Sequence, residues 1–173
     1  MYNDIDVKDW IKHFYGDMAP NLDDIENIRN FALLWNMFEG LMCGTNANHP
    51  IIESAITQLN NQIPLNVSEF DEFLSYAIGK FVDSDNNEVN YEFENLRFQA
   101  QAIEDFVKEV LRKEIVDALS VVKALLHICY RLRNNLFHGT KRIVDLDTQE
   151  EHFVLANKLL MKILDLYKAA NPS

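Results

Sequence analysis

At 173 residues, with 48% hydrophobic side chains and only 5 Gly and 4 Pro, the chain is long enough to bury one substantial core, and its composition excludes a disordered or turn-rich strand protein. A net charge of −11 at pH 7 would repel polyanions, which argues against a general nucleic-acid-coating role. The two cysteines, Cys43 and Cys129, lie among apolar residues and form no disulfide framework; they read as reduced core thiols of a cytoplasmic protein.

The N-terminal stretch MYNDIDVKDWIKHF lacks a basic leader and an apolar run, and no later run is long enough to span a bilayer. A soluble, untargeted protein is expected, folded as a single domain over residues 1–173. Val7, Trp10, Ile11 and Phe14 predict a short amphipathic helix over Asp4 to Tyr15, ended by Gly16 and Pro20 and packed as an arm. Asn21 then reads as the cap of a helix whose first turns carry Asp23, Asp24 and Glu26, where carboxylates suit the positive end of the helix dipole. Between Phe31 and Cys43 only Asn36, Glu39 and Gly40 are not apolar. This helix should therefore be covered on most sides, within the bundle or at a subunit interface.

Gly44 to Asn48 reads as a turn, and Pro50 suits the first position of a helix to about Asn61; His49 beside it is expected as a surface turn residue. A further helix is predicted over Ser68 to Val82 from Phe70, Phe73, Leu74, Ala77 and Phe81. Asp83, Asp85, Asn87 and Glu94 fall at positions 1, 3, 5 and 12 of a calcium loop, but Glu88 stands where that loop needs glycine, so a polar connector is expected. Gln99 to Glu114 forms the next helix and either breaks near Arg112 to Glu114 or runs into its successor. After the Lys141 to Leu146 loop, Asp147 with Glu150, or Thr148 with Glu151, supplies a capping box for a last helix that turns Phe153, Ala156, Leu160, Ile163 and Tyr167 inward. The sum is an all-α, single-domain helical bundle of about six to seven helices.

The stretch from Ala124 to Lys141, ALLHICYRLRNNLFHGTK, departs from this scaffold pattern. Ile115, Leu119, Val122, Leu126 and Cys129 recur at the spacing of a core-facing seam, and the next seam position is Arg133. An unpaired buried charge is costly, so Arg133 must either pack against a partner helix or line a polar pocket. A second stripe, at spacing 4, 3, 4, holds His127, Arg131, Asn134 and His138. Gly139 suits the left-handed conformation that commonly ends a helix. On an unbroken helix Arg133 and His138 sit roughly 140° apart, so they converge only if the helix bends or frays, or if a second subunit completes the site.

Arg133-Asn-Asn-Leu-Phe-His138, an arginine and a polar residue followed by a histidine in an otherwise apolar helix, resembles the signature of the HEPN superfamily. The resemblance implies a small helical bundle, metal-independent endoribonuclease activity on an RNA substrate, and a homodimer whose two motif copies line one cleft. It also implies a role as a toxin with a cognate antitoxin or other regulatory protein, or as an antiviral defence effector. It carries Arg133, Asn134 and His138 across and leaves the first 100 residues to pattern alone.

Metal-free RNA cleavage needs a base for the ribose 2′-hydroxyl, positive donors for the phosphorane and an acid for the leaving 5′-oxygen. The expected catalytic pair is His138, as base or acid near neutral pH, and Arg133, as a two-pronged donor to the phosphate. Asn134 is a candidate to position the phosphate or the His138 ring, and Arg131 and His127 are further candidates for substrate contact. Charge is consistent with this placement: Arg112 to Arg142 holds seven basic and two acidic residues, a surplus of five, leaving −16 on the remainder. No phosphate-binding or dinucleotide glycine loop, zinc spacing or serine-hydrolase elbow is present, and no cofactor or metal is expected. The acidic body, and the absence of a tyrosine or second basic residue just after His138, leave open a non-catalytic helical module that binds a nucleotide or a protein.

Overall fold

The computed structural model describes residues 6–19, 25–137 and 150–172, and among them the chain is an all-α bundle. Its helices are α1 (Val7–Tyr15), α2 (Glu26–Met42), α3 (His49–Gln62), α4 (Asp71–Phe81), α5 (Tyr91–Glu94), α6 (Gln101–Leu111), α7 (Ala118–Phe137) and α8 (Glu150–Ala170). Among the described residues there are eight helices where about six to seven were expected, and the extra one, α5, is a single turn capped by Asn90, whose Oδ1 accepts from the N–H groups of Glu92 and Phe93. Short 3-10 turns at Gly16–Met18 and Val67–Phe70 follow α1 and precede α4. An isolated antiparallel bridge between Val82 and Val89 closes the Asp83 to Asn90 connector.

The centre of the bundle is α7, which is enclosed on nearly every side: Val121, Val122, Ala124, Leu125, Leu126, Ile128, Cys129 and Leu132 are all buried. Helices α3 and α6 pack against it, while α2 and α8 form the other extensive contact of the fold. Phe31, Trp35 and Phe38 of α2 recur at spacings of four and three, so all three face inward; Phe31 meets Phe153 of α8 edge-on at 5.1 Å, and Trp35 lies 6.0 Å from the Tyr130 ring of α7. Each fully buried aromatic of this kind stabilises the fold by about 1.5–3 kcal/mol. Asn157 of α8 donates to the Asn27 carbonyl at 2.9 Å and so fixes α8 against the first turn of α2.

Helix α2 is covered on one face only. Leu33, Met37 and Leu41, four residues apart, form an exposed apolar stripe on the opposite side. The arm expected at the N-terminus is present as α1, capped by Asp6, but it buries no residue, and Val7, Trp10 and Phe14 stay exposed with Trp10 stacked on Phe14 at 5.2 Å. Helices α6 and α7 are separate. Lys113 takes a positive φ of 62°, its N–H bonds the Val110 carbonyl, and Asp117 opens α7 by accepting from Ser120 N–H at 2.9 Å. The Asn21 cap and the Asp147 or Thr148 capping box lie outside the described residues.

Candidate active site

The last turns of α7 carry the chemistry-bearing side chains, and a helical pitch sends them to different places. Arg131 and Asn135, one turn apart, reach the bend after α5, where Arg97 has a φ of 53°. Arg131 Nε donates to the Leu96 carbonyl at 2.9 Å, and Asn135 Nδ2 donates to the Asn95 carbonyl at 3.0 Å and more weakly to Leu96 at 3.3 Å. The backbone acceptors of this bend are thereby satisfied by side chains of α7, which fixes the bend relative to the helix. Arg131 is buried, and burial pulls its guanidinium down from its ordinary value.

Arg133 is half-buried, and its Nη1 donates to Asn134 Oδ1 at 3.0 Å. Of the two environments that the seam position allowed, the structure gives the polar one. Arg131, Arg133, Asn134 and Asn135 line a cavity of about 330 Å³ together with Tyr130, Gln99, Glu39 and the turn at Asn46 and Ala47. Its walls therefore come from α7, the end of α2, the α2–α3 turn and the segment before α6. Glu39 is held in place by accepting from the Ala47 N–H at 2.8 Å. Two guanidiniums beside several amides and one carboxylate make a site that can bind an anion through charge-assisted bonds while orienting it with neutral donors.

His138 lies outside the described residues; in sequence it directly follows Phe137, the last residue of α7. His127 is fully enclosed, and so contact with a substrate cannot be direct. Its Nε2 lies 3.2 Å from Glu53 Oε1 and its Nδ1 lies 2.9 Å from Nδ1 of His49. Burial, with Lys123 nearby, pulls His127 down to about 4. The Glu53 carboxylate facing it does not reverse this, because that side chain is itself partly in water.

His49 is not the surface turn residue expected from its place beside Pro50. The helix begins one residue earlier, capped by Asn48 Oδ1 accepting from Ile51 N–H at 3.1 Å, and this turns the His49 ring onto α7. The ring stands edge-on to Tyr130 at 4.8 Å and to His127 at 4.8 Å, and stacks toward Phe98 at 6.4 Å. Burial, His127 and Arg131 together draw it down to about 4, with Glu53 acting the other way. Sequence reasoning missed Glu39, His49 and Glu53. Glu53 had a legible signal, since it lies one helical turn from His49, whereas the contact across 78 positions from His49 to His127 had none.

The chain therefore brings Arg131, Arg133 and Asn134 to one cavity and places His127 behind its wall. Compared with family models, with curated proteins and with solved structures, the chain gives no match.

Proposed function

We propose that this protein is a metal-independent endoribonuclease that binds the scissile phosphodiester in the cavity at the end of α7 and works as a homodimer. The observation that carries the reading is the pairing of Arg133 with Asn134 in a polar cavity, within a motif that resembles the HEPN signature. Arg133 stabilises the charge that develops on the non-bridging oxygens, and Asn134 fixes the guanidinium plane through its Oδ1. Positive charge supplied by Arg131 in the same wall offsets the acidic body locally, since charges more than about 10 Å apart at the surface are largely screened. A toxin or antiviral role, with an antitoxin or other regulatory protein as partner, belongs to the same reading by resemblance.

The test is cleavage of a ribo-oligonucleotide and its 2′-deoxy analogue by wild type, Arg133→Ala and His138→Ala, with and without EDTA. Wild type should cut only the ribose substrate, leave a 2′,3′-cyclic phosphate and be indifferent to EDTA. Each variant should lose roughly 100-fold or more while staying helical. Cutting of both substrates, or undiminished activity of His138→Ala, would refute the reading. Glu39 favours a second one, a nucleotide-binding module without turnover, because a carboxylate in the cavity suits a base or sugar hydroxyl better than a phosphate. Saturable nucleotide binding with no RNA cleavage would select it.

A further inference from the structure

Behind the cavity wall, three titratable side chains from α3 and α7 form a hydrogen-bonded line: Glu53, His127 and His49. Such a line leaves little freedom in where the protons sit. A carboxylate cannot donate, so the 3.2 Å contact with Glu53 requires the proton on His127 Nε2. A neutral His127 then has its lone pair at Nδ1, and the 2.9 Å contact requires His49 to donate from its own Nδ1. The neutral His49 ring is thereby left with its lone pair on Nε2. No described residue hydrogen-bonds to that atom, and the ring is only partly buried.

The ring is not itself among the residues that line the cavity but lies next to two that are, one through a ring contact and one along the chain. Tyr130, whose ring His49 meets at 4.8 Å, borders the cavity, and so does Ala47, two residues before His49 in the turn that leads into α3. We propose that His49 is the proton acceptor of this site, with His127 and Glu53 as positioning residues that hold its Nε2 in the unprotonated form.

The proposal rests on the ribonuclease reading. In that reaction His49 Nε2 takes the proton of the ribose 2′-hydroxyl as the 2′-oxygen forms its bond to phosphorus. The bond from phosphorus to the 5′-oxygen breaks, and the leaving oxygen receives a proton from the His138 imidazolium. The products are a 2′,3′-cyclic phosphate and a free 5′-hydroxyl, and solvent restores both histidines to their starting states.

Protonated His49 keeps its bond to His127, and the added charge is felt by Glu53 through the line, as in carboxylate-oriented histidine bases. The groups facing His49 are Glu53 from its own helix and His127, Tyr130 and Arg131 from α7, with the apolar Phe98 beside it. Glu53 favours the protonated ring; His127 and Arg131 oppose it. A bound phosphodiester adds a negative charge near Arg131 and shifts this balance toward proton uptake, so the acceptor becomes a stronger base when substrate is present.

The experiment measures kcat/KM against pH on a ribo-oligonucleotide for wild type, His49→Gln and Glu53→Gln, with circular dichroism of each and binding of the 2′-deoxy analogue. His49→Gln should cut roughly 100-fold more slowly and bind the analogue as wild type does. Glu53→Gln should move the acid limb of the profile to lower pH, because the charge favouring protonated His49 has gone. Wild-type cutting by His49→Gln would overturn the proposal and leave the ribonuclease reading standing, whereas a wild type that cuts no RNA would remove both. Should His49→Gln fail to fold, an unmoved acid limb in Glu53→Gln would overturn the proposal by itself.

Discussion

The enclosed His127 makes the stability of this fold depend on pH. Its ordinary value is 6.5 and in the fold it is drawn to about 4, first by burial and then by Lys123. Between those values the unfolded chain binds a proton that the folded chain does not, so stability is complete above about pH 6.5 and falls as the pH drops toward 4. From pH 7 to pH 5, linkage gives a loss of about 2 kcal/mol for this one side chain, and about 3 kcal/mol by pH 4. The upper part of the window is the informative one, because most carboxylates remain ionised there. His49 shifts in the same direction, but its ring is partly exposed, so the magnitude is worked from His127 alone. The assay is urea unfolding at pH 7, 6 and 5 for wild type and for His127→Gln, which keeps a polar side chain but cannot titrate. The variant should be less stable at pH 7 and should lose clearly less stability on acidification. A wild-type midpoint that is flat from pH 7 to 5, or an unchanged slope in the variant, would refute the argument.

Two further outcomes follow from the buried groups around α7. Asn135→Ala should lower the unfolding free energy by about 1–3 kcal/mol, since the Asn95 carbonyl at the bend after α5 loses its donor; urea denaturation measures it, and an unchanged midpoint would show that water replaces the bond. The thiols of Cys43 and Cys129 are both buried, and burial pushes them up to about 11 and about 12. Iodoacetamide at pH 8 should therefore leave both unmodified in the native protein and label both in denaturant, and native labelling of Cys129 would contradict its enclosure.

Most of the helical framework was legible because it depends on local spacing. Phe73, Ala77 and Phe81 face inward at four-residue intervals, as their pattern requires, and Pro50 marks the start of α3 to within a residue. The break between α6 and α7 was harder to read. Its left-handed residue is Lys113 rather than glycine, so the usual composition signal is missing and only Asp117, as a helix cap, announces the restart. Spacing alone grouped the side chains of α7 into an apolar seam and a polar stripe but did not say how deeply either is buried. In the fold the polar stripe, His127, Arg131 and Asn134, is buried, while Arg133 on the apolar seam is only half-buried. What decides the burial is tertiary: Leu96, His49 and Glu53 come from distant positions to satisfy the polar atoms, and a side chain with its partners supplied can be enclosed at modest cost. The same reasoning explains why His49 looked like a turn residue, since its partner His127 is 78 positions away.

The extensive packing of α2 on α8 joins segments more than 100 residues apart in sequence. Phe31, Trp35 and Phe38 leave the ribosome more than 100 residues before Phe153, the ring that completes their environment, can meet them. Chain synthesis at about 5–20 residues per second makes that an interval of several seconds or longer. During it the inner face of α2 is an uncovered aromatic strip, beside Leu33, Met37 and Leu41 on the outer face, which no described residue ever covers. The nascent helix is then apolar almost all round, the condition under which chaperone capture competes with folding. Closure of the bundle is a late, long-range event, and its rate is set by the search that brings α8 back to α2 rather than by how fast any single helix forms.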